Sequence, residues 1–193
     1  MWSYDTDDDF YSVSISADGE YIATASGTSN AYLFKKDNSI PYQTYSTGDS
    51  DARWVSLSAT GEYLVVGASP SVFLFNKDNS TKLWEYETDN NIASVAISSD
   101  GNYIVAGSYD GKVYFFHKDS STPLWSKDLG DNPHIVSISA DGEYIAVGCE
   151  DSHVYFFSKD SSTPIWSYET DGDVGAVAVS ADGEYVAAGT LYP

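Results

Sequence analysis

Short runs of apolar residues separated by polar turns recur along the whole chain, and the third repeat shows the pattern clearly. Residues 93–98 alternate small or apolar side chains with polar ones, whereas residues 103–107 are almost entirely apolar. Residues 112–116 carry aromatic side chains on both faces, and residues 124–127 form a short run after a polar loop. Alternation with a period of two is typical of half-buried strands, and a short apolar run fits a strand that is covered on both faces. The pattern predicts four strands per repeat and almost no helix.

The repeat is about 41 residues long. Equivalent aromatic residues recur at this spacing: Phe34, Phe75, Phe116 and Phe157, and likewise Trp84, Trp125 and Trp166. Stepping back along the tryptophan series gives Gln43 and then Trp2. Self-similarity at a fixed period of this size is the signature of repeat folds. We therefore divide one domain, residues 1–193, into repeats of about 2–42, 43–83, 84–124 and 125–165, with a partial repeat at 166–193.

A glycine turn follows the first predicted strand of each repeat. These structural glycines are Gly19, Gly61, Gly101, Gly142 and Gly183, four of them preceded by aspartate. Asp-Gly between strand-like runs is a strong hairpin signal. Small four-stranded sheets covered on both faces pack radially in propellers. The sequence thus predicts an all-β propeller with four complete blades and partial strands at both ends.

The ends leave the ring open to three interpretations. Residues 2–5 match the last strand of a blade, and residues 185–189 match the second strand of another. An incomplete single ring, a ring built from more than one chain and a piece of a longer propeller all fit this arrangement. The start at Met1-Trp2 favours the last two, and we expect a homo-oligomer that completes the ring if the chain assembles with itself.

The chain resembles WD-repeat and quinoprotein-like propellers in its Asp-Gly-x-Tyr, Asp-Gly-Lys-Val-Tyr and x-Trp-Ser elements. The Trp-Asp pair of WD repeats is replaced by Phe116-His117 and Phe157-Ser158. The quinoprotein motif is approached by residues 119–125, which lack its Gly-Lys. The resemblance implies blades in which Trp84, Trp125 and Trp166 lie between neighbouring sheets, and it gives no support for a bound quinone.

Charge narrows the choice of partner. The net charge is −20, from 29 acidic and 9 basic residues, which argues against nucleic acid. Many carboxylates fall in loops that share one face of a propeller, and we expect them to bind a cationic partner or calcium weakly, or only to solvate the surface. The candidate calcium ligands are Asp7, Asp9, Asp49, Asp51, Asp171 and Asp173. None of these loops matches a complete calcium-loop pattern, which favours solvation.

The fourth repeat alone holds a set of soft and borderline metal ligands. His134, Cys149 and His153 are predicted to share the acidic face and form a candidate zinc site, although their spacing matches no established zinc motif. Drift in a surface loop is the alternative, since sister repeats lack these residues. We find no serine–histidine–carboxylate set, glycine-rich phosphate loop or Cys-x-x-Cys motif.

Small, repetitive first strands favour a scaffold over an enzyme. We expect a non-catalytic interaction or surface-display module without a cofactor, which binds a protein or extracellular ligand through its acidic face. The alternatives are part of a quinoprotein-like or hydrolytic propeller enzyme, and a repeat scaffold with no ligand. No run approaches the roughly 18 apolar residues of a membrane span. An extracellular or cell-surface location is favoured over a cytoplasmic one.

Overall fold

The computed structural model describes residues 2–48 and 50–191, and these residues form 18 β-strands in five antiparallel sheets. We call the sheets blades 1 to 5 in chain order. Blades 1 and 2 consist of β1 (Phe10–Ile15), β2 (Tyr21–Ser26), β3 (Asn30–Lys35), β4 (Gln43–Ser46), β5 (Ala52–Leu57), β6 (Tyr63–Ala68), β7 (Ser71–Asn76) and β8 (Asn79–Glu87). Blades 3 and 4 consist of β9 (Ile92–Ile97), β10 (Tyr103–Ser108), β11 (Lys112–His117), β12 (Trp125–Asp128), β13 (Pro133–Ile138), β14 (Tyr144–Cys149), β15 (His153–Ser158) and β16 (Trp166–Glu169). Blade 5 consists of β17 (Val174–Val179) and β18 (Val186–Thr190).

The prediction of an all-β propeller fold with four complete blades is confirmed. Strands follow one another in sheet order, so each blade is a meander. The described part of the chain contains no helix, and therefore none long and apolar enough to cross a membrane. Residues 2–5 form no strand, in contrast to the predicted terminal strand, because no third strand lies beside them.

Successive blades meet through their first strands, in the order β1, β5, β9, β13 and β17. A backbone relay joins the turns that follow these strands: each turn donates an N–H to the carbonyl oxygen of the next, at 2.8–3.0 Å (Ala17 to Ala59, Ala59 to Ser99, Ser99 to Ala140, Ala140 to Ala181). Serine hydroxyls add to the contact, since Ser14 Oγ accepts the N–H of Leu57 at 3.0 Å and Ser137 Oγ accepts that of Val179 at 3.1 Å. β1 and β17 do not pack on each other in this way, so the structure shows no closed ring.

The turn glycines have two roles. All five adopt a positive φ of 68–76°, a region that L side chains rarely occupy. Four of them also pack on a tyrosine of the preceding blade: a Cβ on Gly142 would lie 2.4 Å from Tyr103 Cδ2, and one on Gly183 would lie 2.1 Å from Tyr144 Cδ2. Gly19, in blade 1, would meet nothing within 4 Å.

Tryptophan links the blades where the next blade has a third strand. Trp84 Nε1 donates to the Lys118 carbonyl oxygen at 2.7 Å, and Trp125 Nε1 donates to that of Lys159 at 2.8 Å. Both indoles pack on a phenylalanine of the following blade. Trp166 stacks on Phe156 of its own blade, as Trp125 does on Phe115, but Trp166 is 39% exposed because blade 5 contains only two described strands.

Blade 1 makes the same link with a different residue. Its fourth strand has Gln43 at the tryptophan position, but Tyr45, two residues along on the same strand face, is fully buried. The Tyr45 hydroxyl donates to the Lys77 carbonyl oxygen at 3.2 Å, and its ring packs on Phe75 at 4.8 Å between centroids. Lys77 corresponds to Lys118 and Lys159, so a hydroxyl satisfies the acceptor that an indole satisfies in blades 3 and 4.

Candidate functional site

The loops of the blades divide into two ends of different chemistry. We call the end formed by the loops between blades and by the turns from second to third strands the acidic end. Contacts join its two sets of loops: Lys112 Nζ lies 3.1 Å from Asp89 Oδ2, and Asn132 Nδ2 donates to Glu150 Oε2 at 2.8 Å. The opposite end carries the turns from first to second strands and the loops from third to fourth strands. We call it the lysine end.

Some carboxylates at the acidic end hold the fold together. Asp8 accepts hydrogen bonds from the Thr28 hydroxyl at 2.7 Å and the Ser26 hydroxyl at 3.2 Å, and the first of these is the main cause of its lowered pKa. The Tyr114 hydroxyl donates to Asp110 Oδ2 at 2.7 Å, and the corresponding Tyr155 hydroxyl donates to Asp151 Oδ2 at 2.5 Å. Burial and then these carboxylates raise the pKa of both tyrosines. These aspartates therefore fix the turn from second to third strand.

The predicted calcium ligands lie in the loops between blades, where they are exposed or beside a cation. Asp7, Asp9, Asp171 and Asp173 are exposed, and Asp51 Oδ2 lies 3.9 Å from Arg53 Nη2. Asp49 lies outside the described residues. Within residues 2–48 and 50–191, no three histidine, cysteine, aspartate or glutamate side chains are grouped so as to hold one ion. The calcium site gains no support from this arrangement and stays a prediction.

The predicted zinc ligands do not converge either. Cys149 is fully buried, and burial raises the pKa of its thiol to about 12, which keeps it protonated and a poor ligand at neutral pH. His153 Nδ1 lies 2.9 Å from the backbone oxygen of Asp151 and thus has a local partner. His134 Nδ1 is buried without a hydrogen-bond partner among the described residues. The zinc site also stays a prediction.

At the lysine end, cations are paired with neighbouring acids. Lys77 Nζ lies 2.6 Å from Asp78 Oδ2, and Lys118 Nζ lies 2.7 Å from Asp119 Oδ1. Lys36 pairs with Glu20, and Lys159 pairs with Glu143. The hydrogen bonds that these lysines donate to the acids raise the pKa of the lysines, so the ammonium groups stay charged. These ion pairs compensate part of the negative charge at this end.

The strand pattern in the sequence did not predict the β-bulges at the acidic end. The second residue of each first strand lies where the register with the second strand shifts (Tyr11, Arg53, Ala93, His134, Gly175). Two of them, Tyr11 and Arg53, line a cavity of about 190 Å³ together with Trp54, Asn91, Ile92 and Tyr109. The sequence held one sign of this site: the residue type at the bulge position differs in every repeat, whereas later positions of the same strand are similar.

A larger, more open cavity of about 450 Å³ lies beside blade 5. It is lined mainly by apolar groups of Val154, Trp166, Tyr168, Val186 and Ala188. In blade 3, the third strand occupies the corresponding space: Tyr86 of blade 2 packs there on Phe116 at 5.2 Å between centroids. The cavity is open because blade 5 has no third strand among the described residues.

Comparison with protein families shows which family the chain belongs to. The model of the family described as outer membrane protein assembly factor BamB matches residues 68–192, more than half of the chain. The chain belongs to this family. Membership in the BamB family agrees with a propeller repeat of the quinoprotein-like type, whereas the WD-repeat resemblance stays a prediction. No curated protein matches the chain significantly.

Proposed function

We propose that this chain of the BamB family is a non-catalytic protein-interaction scaffold whose acidic end binds a cationic partner protein. The observation that carries the proposal is the unequal distribution of cations. Six of the nine basic residues lie at the lysine end (Lys35, Lys36, Lys77, Lys82, Lys118, Lys159), whereas Arg53, Lys112 and Lys127 lie toward the acidic end. Exposed carboxylates of one sign attract an oppositely charged partner and speed its encounter.

The family description supports a role in binding proteins. An outer membrane protein assembly factor is named for its action on other proteins, and that name agrees with a scaffold. The same proposal locates this chain at or outside the cell surface.

A catalytic role has less support. The side chains of the first strands are mainly small or aliphatic, as in Ser12, Ser14, Ala96 and Ala178. Catalysis needs a nucleophile within hydrogen-bond reach of a base, and no serine or cysteine of the described residues donates to a histidine. These features favour the scaffold over the quinoprotein-like or hydrolytic alternative.

Two variants with the same change in charge test the proposal. Asp171 and Asp173 are changed to asparagine at the acidic end, and Asp37 and Asp160 are changed to asparagine at the lysine end; all four are exposed. A small basic protein, lysozyme, serves as the probe at about 0.05 M salt, and calorimetry measures binding. We expect the acidic-end variant to bind about fivefold more weakly and the other to change less than twofold, since exposed charges contribute at most about 1 kcal/mol each.

Equal weakening of both variants would show that only net charge matters, and the proposal would be rejected. No binding of the probe to the unmodified chain at this salt concentration would reject it as well. Circular dichroism and thermal unfolding confirm that both variants keep the fold.

A further inference from the structure

The outer face of blade 1 repeats a surface that the preceding blade covers in blades 2 to 5. Val13 and Ile15 of β1 point away from blade 2, and they are 71% and 61% exposed. Their counterparts on the other first strands face the preceding blade: five of them are 5–8% exposed (Val55, Leu57, Val95, Ile97, Val136), and the other three are half-buried (Ile138, Val177, Val179). The same side chains at the same positions are therefore ready to bury apolar area against another blade.

Blade 5 presents the complementary half of this contact. In blades 2 and 3, Gly67 and Gly107 lie against the valine of the next blade that corresponds to Val13: a Cβ on Gly67 would lie 3.0 Å from Val95 Cγ1, and one on Gly107 would lie 3.3 Å from Val136 Cγ1. The equivalent Gly189 has only Ala176 Cβ within 4 Å, at 3.9 Å. Ala176, Ala178 and Ala187 are exposed beside it. The outer face of blade 5 therefore carries only small side chains where Val13 and Ile15 of another copy would pack.

The turns of blades 1 and 5 also carry the groups that join neighbouring blades elsewhere in the chain. Tyr185 is 72% exposed, whereas a Cβ on Gly183 would contact the preceding tyrosine, Tyr144. Gly19 carries the open turn that would receive Tyr185. The backbone relay begins at the turn of Ala17 and ends at that of Ala181, so the Ala17 carbonyl oxygen and the Ala181 N–H are the groups that continue it.

We propose that a second copy of this chain packs its blade 1 onto blade 5 of the first, head to tail. Blade 1 and blade 5 each carry the half of the contact that the other lacks. The four interfaces between successive blades within the chain show how the two halves fit. This contact joins two different surfaces, so repetition closes a ring or extends a filament, according to the rotation at each step. The inference is independent of the proposed function, because neither face includes the exposed carboxylates of the acidic end.

Charge makes this association dependent on salt. Each copy has a net charge of −20, so two copies repel each other when screening is weak. The Debye length falls from about 10 Å at 0.1 M salt to about 3 Å at 1 M. We expect association to strengthen as salt is added, whereas binding of a cationic protein at the acidic end weakens.

The test measures mass by light scattering on a size-exclusion column over a range of concentrations at about 0.1 M and 1 M salt. We expect masses above 21.0 kDa that rise with concentration and salt. Val13→Asp blocks the outer face of blade 1, and Ala187→Asp blocks that of blade 5. Ile40→Asp is the matched control, since Ile40 is 70% exposed and lies in a loop of the lysine end. Each blocking variant should raise the concentration needed for half-association by about a hundredfold or more, which corresponds to about 2.8 kcal/mol, and the control should change it less than twofold.

Mixing the two blocking variants provides the decisive result. Each keeps one intact face, so the mixture should give a dimer of two 21.0 kDa chains and nothing larger. That dimer also shows that both variants are folded. A 21.0 kDa monomer under every condition would overturn the proposal, as would a Val13→Asp variant that associates like the unmodified chain or a mixture that stays monomeric.

Discussion

Replacing Tyr45 with phenylalanine removes one hydroxyl group from the interface between blades 1 and 2 and leaves the ring in place. That hydroxyl lies 3.2 Å from the Lys77 carbonyl oxygen and 3.4 Å from that of Asn76. The Tyr45 side chain is fully buried, but Asn76 and Lys77 are only half-buried, so water can compensate in part for the lost donor. The variant therefore removes the protein donor to a carbonyl group whose counterparts in blades 3 and 4 accept an indole N–H.

The size of the effect follows from the hydrogen bond alone. A net hydrogen bond contributes about 0.5–1.5 kcal/mol, and the partial exposure of the acceptor residues keeps the loss within that range. We expect Tyr45→Phe to lower the free energy of unfolding by about 1 kcal/mol. For a chain of this size, Tm falls by about 2–4 °C for each kcal/mol.

Urea unfolding followed by circular dichroism measures the loss, and Tyr86→Phe is the control. Tyr86 occupies the same position in blade 2, where Trp84 already donates to the next blade, so its hydroxyl carries no such bond. We expect a change below about 0.5 kcal/mol for the control. In a Gln43→Trp background, the added indole should recover part of the stability lost in Tyr45→Phe. If Tyr45→Phe and Tyr86→Phe lowered the free energy of unfolding equally, the inference that the Tyr45 hydroxyl replaces an indole N–H would be refuted.

Three further predictions concern single positions. Gly142→Ala should lower the free energy of unfolding by at least about 2 kcal/mol, and Gly19→Ala should lower it by about 1 kcal/mol. Both glycines have a positive φ, but only at Gly142 would a Cβ lie against a tyrosine ring. Urea unfolding of the two variants measures the difference. A hydrogen bond from Ser139 is the main cause of the lowered pKa of Asp141, so its stabilisation is present above about pH 4 and is lost as the pH falls through the folded-state pKa. Ser139→Ala, which should cost about 1 kcal/mol at pH 7, should therefore differ less from the unmodified chain at pH 2–3. Cys149, whose pKa burial raises to about 12, should react with a thiol reagent at pH 8 at least a hundredfold more slowly in the native chain than in denaturant; comparable rates would contradict its burial.

The architecture could be predicted because each blade repeats the same local signals. The apolar runs, the Asp-Gly turns and the 41-residue spacing all specify strands and hairpins, and residues 112–116 fall within β11 as expected. The links at Trp84 and Trp125 followed from the repeat, since both blades have a successor with a third strand. Trp166 has the same sequence context, but its environment depends on a strand that blade 5 lacks among the described residues.

The candidate sites were harder to predict because they depend on distances between loops. Sequence placed Cys149 and His153 at one end of a blade, but burial of the thiol and the backbone partner of the imidazole are set by tertiary packing. The role of Tyr45 was hidden for another reason: only Gln43 differs from its equivalents, whereas Tyr45 has the tyrosine counterpart Tyr86, and only the hydrogen bond to Lys77 distinguishes the two tyrosines.

The relay of turns also bears on how the molecule folds. Each blade bonds to its neighbours in sequence, so strand pairing and interblade contacts join residues that are close along the chain. In arrays of this kind, stability is approximately a sum of unit and nearest-neighbour terms, and folding can begin at any unit and spread. Blades 2 and 3 have complete neighbours on both sides, whereas blades 1 and 5 each have one. Opening should therefore begin at the ends and move inward, and amide protons of β10 should exchange more slowly than those of β18.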